Sequence, residues 1–419
     1  MAAVTVCSTS FAAFGGAQAR SLGYSGLPIA VVPHPFGILS RAEIKQVADK
    51  CVDDISRMMC APVPEDWSAV LDGPGSAKQL IEAPDDLEEV NRFLLAQRWG
   101  DGLPLIPPTP ERLGRMLRHT KRAPDEVIAK IAPAFGEATV ERIAVNAVLA
   151  GCYPEYLPVL IAATEAVTEP TFNLQGVQST TNPVAVWLVI NGPIARQLGV
   201  NSSAGCLGPG TWSNATLGRA LRLILQNIGG ARPGEMDQAS HGQPAKYTFC
   251  CAENEEANPW EPFHVELGYA PERSTVTVVA ALGILNLNTH SKDADIVLRL
   301  ITESMAYPMG NDYIHCGTPW LVLGPEHADV LKRAGLSKAD VKRRLWEGSK
   351  IVAGRLSPTD CERVRIGRRA ELGEIEKDTL IPITRRPEDI KFIVAGDAGT
   401  HSVFIPGSRS NCSTREVMF

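Results

Sequence analysis

Several features that would assign a common function are missing from this 419-residue sequence. No stretch approaches the roughly 18–20 consecutive apolar residues of a membrane span. The formal net charge is −6, so the basic surplus of a nucleic-acid-binding protein is missing. The N-terminus has no basic segment ahead of its apolar part, which argues against a signal peptide. We therefore expect a cytoplasmic protein that binds neither membranes nor nucleic acids.

Motifs for metals and nucleotides are missing as well. The ten cysteines form no CxxC pair and no spaced Cys/His quartet, so we expect no structural zinc and assign no metal site. No GxGxxG or Walker loop is present, so a nucleotide is not implied and the cofactor stays unknown. In a reducing compartment the cysteines should be free thiols. No internal repeat and no low-complexity segment is evident.

The remaining pattern predicts an α/β protein with a small parallel β-α-β-α module over residues 1–62. Apolar strands over 3–7 and 27–32 flank a helix over 11–22, and a helix-linked pair of strands is usually parallel. Ser40 and Glu43 form a capping-box pattern ahead of a periodic helix over 41–59.

A linker rich in proline, glycine and small residues is predicted over 63–83, and a large α/β domain over 84–419. In that domain apolar periodicity predicts five helices, over 85–99, 140–150, 157–167, 216–228 and 337–347. Apolar runs predict five strands, over 184–191, 247–251, 274–281, 320–323 and 389–395. The last strand runs into Gly396–Ser402, which we interpret as a βα-type turn.

The richest candidate site follows the predicted strand 247–251. It contains four residues that could serve as acid/base or orienting groups: Glu253, Glu255, Glu256 and His264. Polar groups at strand ends build many α/β sites, and a carboxylate beside a histidine can act as general acid and base. Cys250 is a candidate nucleophile if Lys246 lowers its pKa. A solvated acidic run and a core cysteine are the structural alternatives.

Three further segments are candidates for ligand binding. The glycine-rich turn places His401 and Ser402 where they could bind or protonate a leaving group. The segments 175–182 and 202–210 are dense in amides, hydroxyls and glycines, which are typical of a substrate pocket. Together with Lys246, they supply the predicted substrate-binding residues Gln175, Gln178, Thr180 and Cys206. A structural βα turn explains the glycines of 396–402 equally well, and ordinary turn chemistry is the alternative for the other two segments.

Cys7 and His34 form the fourth candidate. Each ends or follows one of the two parallel strands, so both could lie at the same sheet edge, with Cys7 as a resolving thiol and His34 as its base. A structural role for the proline-flanked histidine is the alternative. Weaker candidates are His290, Asp101 and the adjacent His315 and Cys316, which could bind a soft metal.

The sequence resembles a known family over nearly its whole length. Residues 4–37, with T-V-C near the start and L-P-I-A-V-V-P-H-P-F-G at the end, resemble the UGSC-like domain of a family of (seleno)proteins. They are distantly similar to component B of glycine, sarcosine and betaine reductases. Residues 86–415 resemble the large domain often fused after the UGSC-like one, through the segments W-G-D-G-L-P, N-G-P-I-A-R, K-Y-T-F-C, A-E-N-E-E and G-E-A-T-V-E-R-I-A-V-N-A-V-L-A-G-C.

The resemblance implies a function that depends on a thiol or selenol. In the family the reactive residue lies in a U/C-G-S-C motif upstream of the first strand, whereas no GSC triplet occurs in this sequence. We expect a small partner protein to supply that motif, the alternative being that the chemistry is lost. The chain would be the large subunit of a two-component enzyme, a lyase or reductase, that cleaves or reduces a carbon–heteroatom bond of a small organic substrate.

Two other functions stay open. One is a metal-assisted hydrolase or lyase that uses Cys, His and Glu ligands. The other is a non-catalytic scaffold for the small partner.

Overall fold

The computed structural model describes residues 3–36, 39–61, 80–308 and 310–418. The strands, in chain order, are β1 (Thr5–Ser8), β2 (Ile29–Val32), β3 (Val127–Ile131), β4 (Gly136–Thr139), β5 (Ala185–Asn191), β6 (Cys250–Ala252), β7 (Thr275–Ala281), β8 (Leu285–Asn288), β9 (Trp320–Leu323), β10 (Ile351–Val352), β11 (Leu380–Ile381), β12 (Lys391–Val394), β13 (His401–Ile405) and β14 (Ser413–Glu416).

The helices, in chain order, are α1 (Ala12–Ser21), α2 (Arg41–Cys60), α3 (Leu87–Ala96), α4 (Pro110–Leu117), α5 (Val140–Ala150), α6 (Leu157–Val167), α7 (Leu174–Ser179), α8 (Pro193–Gln197), α9 (Trp212–Asn227), α10 (Phe263–Glu266), α11 (Ala294–Met305), α12 (Asn311–His315), α13 (Pro325–Arg333), α14 (Lys338–Gly348), α15 (Pro358–Gly367) and α16 (Arg369–Leu372). Helices alternate with strands and small mixed sheets, so the predicted α/β fold class is confirmed.

The N-terminal module has the predicted β-α-β-α order. β1 and β2 pair in parallel, α1 joins them, and α2 follows. The α2 N-terminus has a complete capping box: the Ser40 hydroxyl accepts from the Glu43 N–H, and the Ser40 N–H donates to the Glu43 carboxylate. Its buried core is small, comprising Ala30, Val32 and Cys51. Most of the predicted linker, residues 62–79, lies outside the described residues.

Two four-stranded sheets form the centre of the large domain. The first has the order β14-β7-β5-β6 and the second β12-β9-β13-β8. Their inner faces pack against each other through an apolar cluster that contains Trp187, Phe249, Phe263, Val279 and Trp320. The two tryptophan rings meet edge to face with centroids 5.5 Å apart. Aromatic pairs of this geometry contribute about 0.5–1.5 kcal/mol beyond the burial of their area.

The outer face of each sheet is covered by helices. α5, α6 and α9 share a core with β5 and β7, and α11, α13 and α14 share a second core with β9 and β12. This explains why strands such as β5 and β7 are apolar at successive positions: both of their faces are buried. The large domain is therefore layered as helices, sheet, sheet and helices.

The two sheets share one strand arrangement. In the first, β5 lies between parallel β6 and antiparallel β7, with β14 outside β7. In the second, β9 lies between parallel β12 and antiparallel β13, with β8 outside β13. β8 follows β7 along the chain but pairs in the second sheet, and β14 follows β13 but pairs in the first. We call the part from β5 to β8 the first half of the large domain's sheets and the part from β9 to β14 the second half. Each half contributes one strand, β8 or β14, to the sheet of the other half.

This arrangement is an internal repeat, contrary to the expectation from the sequence. Trp-Leu-Val occurs at 187–189 in β5 and at 320–322 in β9, and a Gly-Pro pair follows each strand, at 192–193 and, one position closer to the tryptophan, at 324–325. So few identical positions, separated by insertions of unequal length, do not stand out against the background of an apolar sequence.

Two sequence predictions near the site are wrong. Gly396–Thr400 leads from β12 into β13, so the predicted βα-type turn connects two strands. β13 forms because its residues find partners on both sides, in β8 and β9. The strand predicted over 247–251 begins only at Cys250, because Pro244–Lys246 forms a short 3-10 turn.

Candidate functional site

Glu253 is the first residue after β6 and lies at the carboxyl end of the parallel pair β5–β6. Its N–H donates to the carbonyl of Ile190, which continues the strand pairing and holds the residue at the end of the sheet. Its carboxylate is 3% exposed and accepts hydrogen bonds from Asn191 Nδ2 at 2.5 Å, the Phe263 N–H at 2.7 Å and Asn258 Nδ2 at 2.8 Å.

The environment of Glu253 changes its proton affinity. Burial raises its pKa to about 7, although the positive charge of Lys338 and the donated hydrogen bonds act in the opposite direction. Such a carboxyl group exists in both protonation states near neutral pH. A buried carboxyl with a raised pKa in a cleft is a typical general acid or base.

Glu255 is held beside Glu253 by the turn that ends β5. Its Oε1 accepts from the Gly192 N–H at 2.7 Å and from Asn191 Nδ2 at 3.1 Å. Gly192 has φ of +81°, and a Cβ at this position would lie 2.1 Å from the carbonyl oxygen of Arg273. Only glycine therefore fits this turn, and Asn191 links the two carboxylates through one amide.

His264 lies next to this pair and is completely buried. Its Nδ1 is 3.6 Å from Glu255 Oε1, and its Nε2 lies 3.4 Å from the carbonyl of Pro271. Among the described residues, neither His264 Nδ1 nor Asn191 Oδ1 has a hydrogen-bond partner. Buried polar atoms are rarely left unpaired, so these two are positions where a buried water would be stabilised.

The carboxylates face a cleft of about 460 Å³, which we call the carboxylate cleft. Its walls come from the turn after β5, the segment after β6 and the loop around Ser202. The second sheet closes it, because the Asn254 N–H donates to Val394 O at 2.7 Å and the Gly396 N–H donates to Ser202 O at 2.8 Å. At the rim, Glu256 forms an ion pair with Arg196, and both side chains are about 80% exposed, so the pair adds little stability.

The cysteines of β6 are poor candidates for a nucleophile. Cys250 faces the helix-covered core and Cys251 faces the inter-sheet core, and both are buried. Burial raises the pKa of the Cys250 thiol far above its usual value. The predicted activation by Lys246 does not occur, because Lys246 forms an ion pair with Asp237. The geometry therefore contradicts the prediction that Cys250 is a nucleophile.

Cys206 has an unusual environment but is not accessible. A hydrogen bond from Cys251 lowers the pKa of its thiol, with further help from the N–H groups of Leu207 and Gly396. The side chain is 6% exposed, contrary to our expectation, and it does not line the carboxylate cleft. Its low exposure follows from its position between the two sheets.

The glycine-rich turn contributes its backbone to the site but not its side chains. His401 is exposed, with Nδ1 3.3 Å from Asn286 Oδ1, and does not line the carboxylate cleft. Ser402 is buried; its Oγ accepts from the Gly324 N–H and lies 2.8 Å from His327 Nδ1. The predicted ligand contact of Ser402 is therefore excluded by burial, and its hydroxyl is used within the fold.

The predicted substrate-binding residues separate into two groups. Gln178 and Lys246 meet Arg222 at the opposite end of β5. Gln175 is exposed and accepts from the Ser179 hydroxyl within its helix, and Thr180 accepts from the Asn182 N–H in a turn. Neither of these two contributes to a cleft with the carboxylates, because their hydrogen bonds are local.

Cys7 and His34 are not brought into contact as a pair. Cys7 packs under α1, where its sulfur lies against Gly15, whereas His34 Nδ1 lies 3.0 Å from the Ser8 hydroxyl. Neither residue lines the carboxylate cleft.

The weaker candidates are also separated. The His290 ring contacts Thr400, and the Asp101 carboxylate pairs with Arg219. His315 and Cys316 lie at the end of α12. No group of three or more His, Cys, Asp or Glu side chains that could hold a metal ion occurs in the described part of the chain.

Comparison with known proteins informs the N-terminal module alone. The model of the UGSC family matches residues 1–61. No curated protein and no solved structure matches the chain, so the more distant resemblance to component B of the reductases receives no support. None of the described helices is long and apolar enough to cross a membrane.

Sequence reasoning finds the acidic residues of the site but misses the amides that organise them. Asn191, Asn254 and Asn258 hold the Glu253 and Glu255 segments in place. A signal for Asn191 is present in the sequence, since a polar residue ends an otherwise apolar strand immediately before Gly-Pro. Together these residues offer a proton donor and acceptor in a half-enclosed, polar cleft.

Proposed function

We propose that this chain is the substrate-binding and acid/base component of a thiol- or selenol-dependent enzyme that acts on a carbon–heteroatom bond of a small organic substrate. The observation that supports this most strongly is Glu253, a buried carboxyl with a pKa raised to about 7 that faces the carboxylate cleft. A cleft of about 460 Å³ suits a small polar molecule.

Glu253 would act as the general acid. A thiolate or selenolate attacks the carbon centre, a new bond to sulfur or selenium forms, and the carbon–heteroatom bond breaks. The electron pair leaves with the heteroatom, which takes the proton of Glu253. Glu255 would orient the substrate through its carboxylate, and the buried His264, whose Nδ1 lies 3.6 Å from Glu255 Oε1, would position that carboxylate.

The reactive thiol or selenol would come from outside the large domain. Cys250 and Cys251 are buried with raised thiol pKa, and Cys206 does not reach the cleft. The N-terminal match to the UGSC family is consistent with a group supplied through a partner that carries a GSC motif. The protein that carries the GSC motif would be the small partner that we expect from the sequence.

Replacing Glu253 by the isosteric glutamine tests whether Glu253 is the general acid. The chain is mixed with a synthetic Cys-Gly-Ser-Cys peptide and small carboxylic acids that carry amine or alkoxide leaving groups, which depart as neutral molecules only when protonated, and leaving-group release is followed by mass spectrometry. Glu253→Gln should lower kcat/KM roughly 10²–10⁴-fold, the usual contribution of a general acid. Glu362→Gln, which changes an exposed glutamate paired with Arg365, is the matched control and should behave as the wild type.

The pH profile separates an acid from a structural residue. Wild-type kcat/KM should fall as the pH rises through about 7, because Glu253 must carry the proton, and Glu253→Gln should lose this dependence. If Glu253→Gln retains full activity, the chain is a scaffold and the acid assignment is wrong.

Alkylation tests the source of the thiol. After treatment with N-ethylmaleimide and removal of the reagent, the chain should release the leaving group only when the peptide is added. Full-rate release by the alkylated chain alone contradicts an external thiol.

A further inference from the structure

A second cavity, of about 690 Å³, lies at the opposite end of β5 from the carboxylate cleft. We call it the cationic cavity. Lys246 and Arg222 line it together with residues before β6 and after α9. Gln243 fixes the position of this segment, because its side chain donates to the carbonyls of Pro183 and Ala281 beside the first sheet. The cavity therefore has walls that are anchored to the core.

Positive charge exceeds negative charge on its lining. Asp237 is 3% exposed and accepts from Lys246 Nζ at 2.7 and 2.8 Å and from Arg222 Nη2 at 3.0 Å, so one carboxylate compensates two cations. Asp101 is occupied by a two-point ion pair with Arg219.

Arg232 adds a third cation and forms no ion pair among the described residues. The charge of Arg98 is compensated by its ion pair with Glu235. Lys246, Arg222 and Arg232 carry three positive charges, and Asp237 compensates one of them, so two positive charges remain uncompensated. Uncompensated charge with little access to water is unfavourable unless an anion binds.

Two donor groups at this position are unpaired. Arg232 Nε is buried without a hydrogen-bond partner within the described chain, and so is Nε2 of Gln178, whose side chain is only 4% exposed. Gln178 does not line the cationic cavity itself but lies beside Arg222 and Lys246 in a small adjacent pocket. Both unpaired groups are donors, so the matching ligand atoms are acceptors.

We propose that the cationic cavity binds a small organic dianion whose carboxylate or phosphate oxygens contact Arg232, Arg222 and Lys246. The excess of two positive charges sets the charge of the ligand, and the unpaired donors set its polarity. Arginine in particular binds carboxylate and phosphate groups through paired N–H donors. The site is distinct from the carboxylate cleft, so its ligand is separate from the substrate proposed above.

Calorimetric titration of the full chain at low ionic strength tests the proposal, with succinate, inorganic phosphate and acetate as probes. Succinate or phosphate should bind, and acetate should bind more weakly because it carries one charge. Binding by succinate indicates a dicarboxylate ligand, and binding by phosphate indicates a phosphorylated one.

Arg232→Gln is the informative variant, because Arg232 has no ion pair whose loss would disturb the fold. It should weaken binding roughly tenfold to a hundredfold, as expected for one charge-assisted contact. Arg333→Gln removes an equal charge at an exposed position paired with Asp329 and should bind as the wild type.

The proposal is overturned by no binding of either dianion, or by equal weakening in Arg232→Gln and Arg333→Gln. Equal affinity for acetate and succinate would refute the double charge. Glu253→Gln should bind the dianion normally, so failure here and failure of the proposed enzyme function are distinguishable.

Discussion

The two halves of the sheet sandwich share a strand arrangement but differ at the ends of their strands. In the first half the carbonyl of Ile190 accepts from Glu253; in the second half the carbonyl of Leu323 accepts from Ala395. Ala395 therefore occupies the position of Glu253, and by the same count Gly324 occupies the position of Asn191. The second half folds without the carboxylate and the amide, so the architecture does not require them.

Hydrogen bonding at the two strand ends also differs. In the second half, Ser402 and His327 bond to each other, and their remaining contacts, with the Gly324 N–H and the Thr289 carbonyl, complete the network. In the first half, His264 Nδ1 and Asn191 Oδ1 have no partner among the described residues. A closed network is typical of structure, whereas the first half leaves buried polar atoms unpaired beside the Glu255 carboxylate, which itself lines the cleft.

Two buried carboxyl groups, one in each half, should make stability depend on pH. Burial raises the pKa of Glu253 from 4.5 to about 7 and that of Asp312 from 3.8 to about 8. Each folded-state pKa exceeds its unfolded value, so the stabilising contribution is complete at low pH and is lost as the pH rises through the folded pKa. The shifts correspond to roughly 6 kcal/mol for Asp312 and roughly 3 kcal/mol for Glu253.

Asp312→Asn and Glu253→Gln should therefore flatten the pH dependence, the first up to about pH 8 and the second up to about pH 7. Urea midpoints measured at pH 5, 7 and 9 check this. Glu253→Gln alone should affect catalysis, since Asp312 does not line the carboxylate cleft. A wild-type midpoint that is constant across this range would contradict the raised pKa values.

Local sequence patterns predict about half of the elements of this fold, mainly the longer apolar ones, whereas contacts between distant segments decide the site. α5, α6 and β9 begin and end where the apolar periodicity predicts. The capping box at Ser40 is also a local signal. The pairing of β14 with β7 is not, because nothing within 413–416 indicates which of the two sheets it joins.

The residues of the candidate site likewise divide into those that a local sequence pattern predicts and those whose position depends on contacts between distant segments. Glu253, Glu255 and His264 come from one short segment, so sequence reasoning brings them together. Lys246 comes from the same segment but lies at the other end of β5, because the chain from 246 to 253 runs the length of that strand. Ser402 and Cys206 are polar or reactive by type, but burial between packed layers determines their roles.

The tryptophan pair tests whether the halves are equivalent in packing. Trp187 and Trp320 occupy matching positions and are completely buried against each other. Trp187→Ala and Trp320→Ala should each lower the free energy of unfolding by about 3–5 kcal/mol. Because the rings are in contact, the double variant should lose less than the sum.

Trp212→Ala is the matched control for this pair. Trp212 is 53% exposed and donates one hydrogen bond to Gly151, so its loss should cost about 1 kcal/mol. Urea unfolding measures all four variants. Strict additivity would show that the two rings are not energetically coupled, and a much smaller loss for one tryptophan than for the other would show that the halves do not pack equivalently.

The cysteines of β6 give the smallest expected effect and test the comparison at the level of single side chains. By strand register, Cys250 and Cys251 correspond to Phe392 and Ile393 in the second half, which are apolar core residues. If the thiols also serve as core, Cys250→Val should change stability by less than about 1.5 kcal/mol, as volume-conserving swaps do, and should leave catalysis intact. Iodoacetamide should label the exposed Cys60 in the native chain and reach Cys250 and Cys251 only after unfolding. Rapid native labelling of Cys250, or loss of activity in Cys250→Val with unchanged stability, would restore a chemical role to β6 and break the equivalence of the two strands.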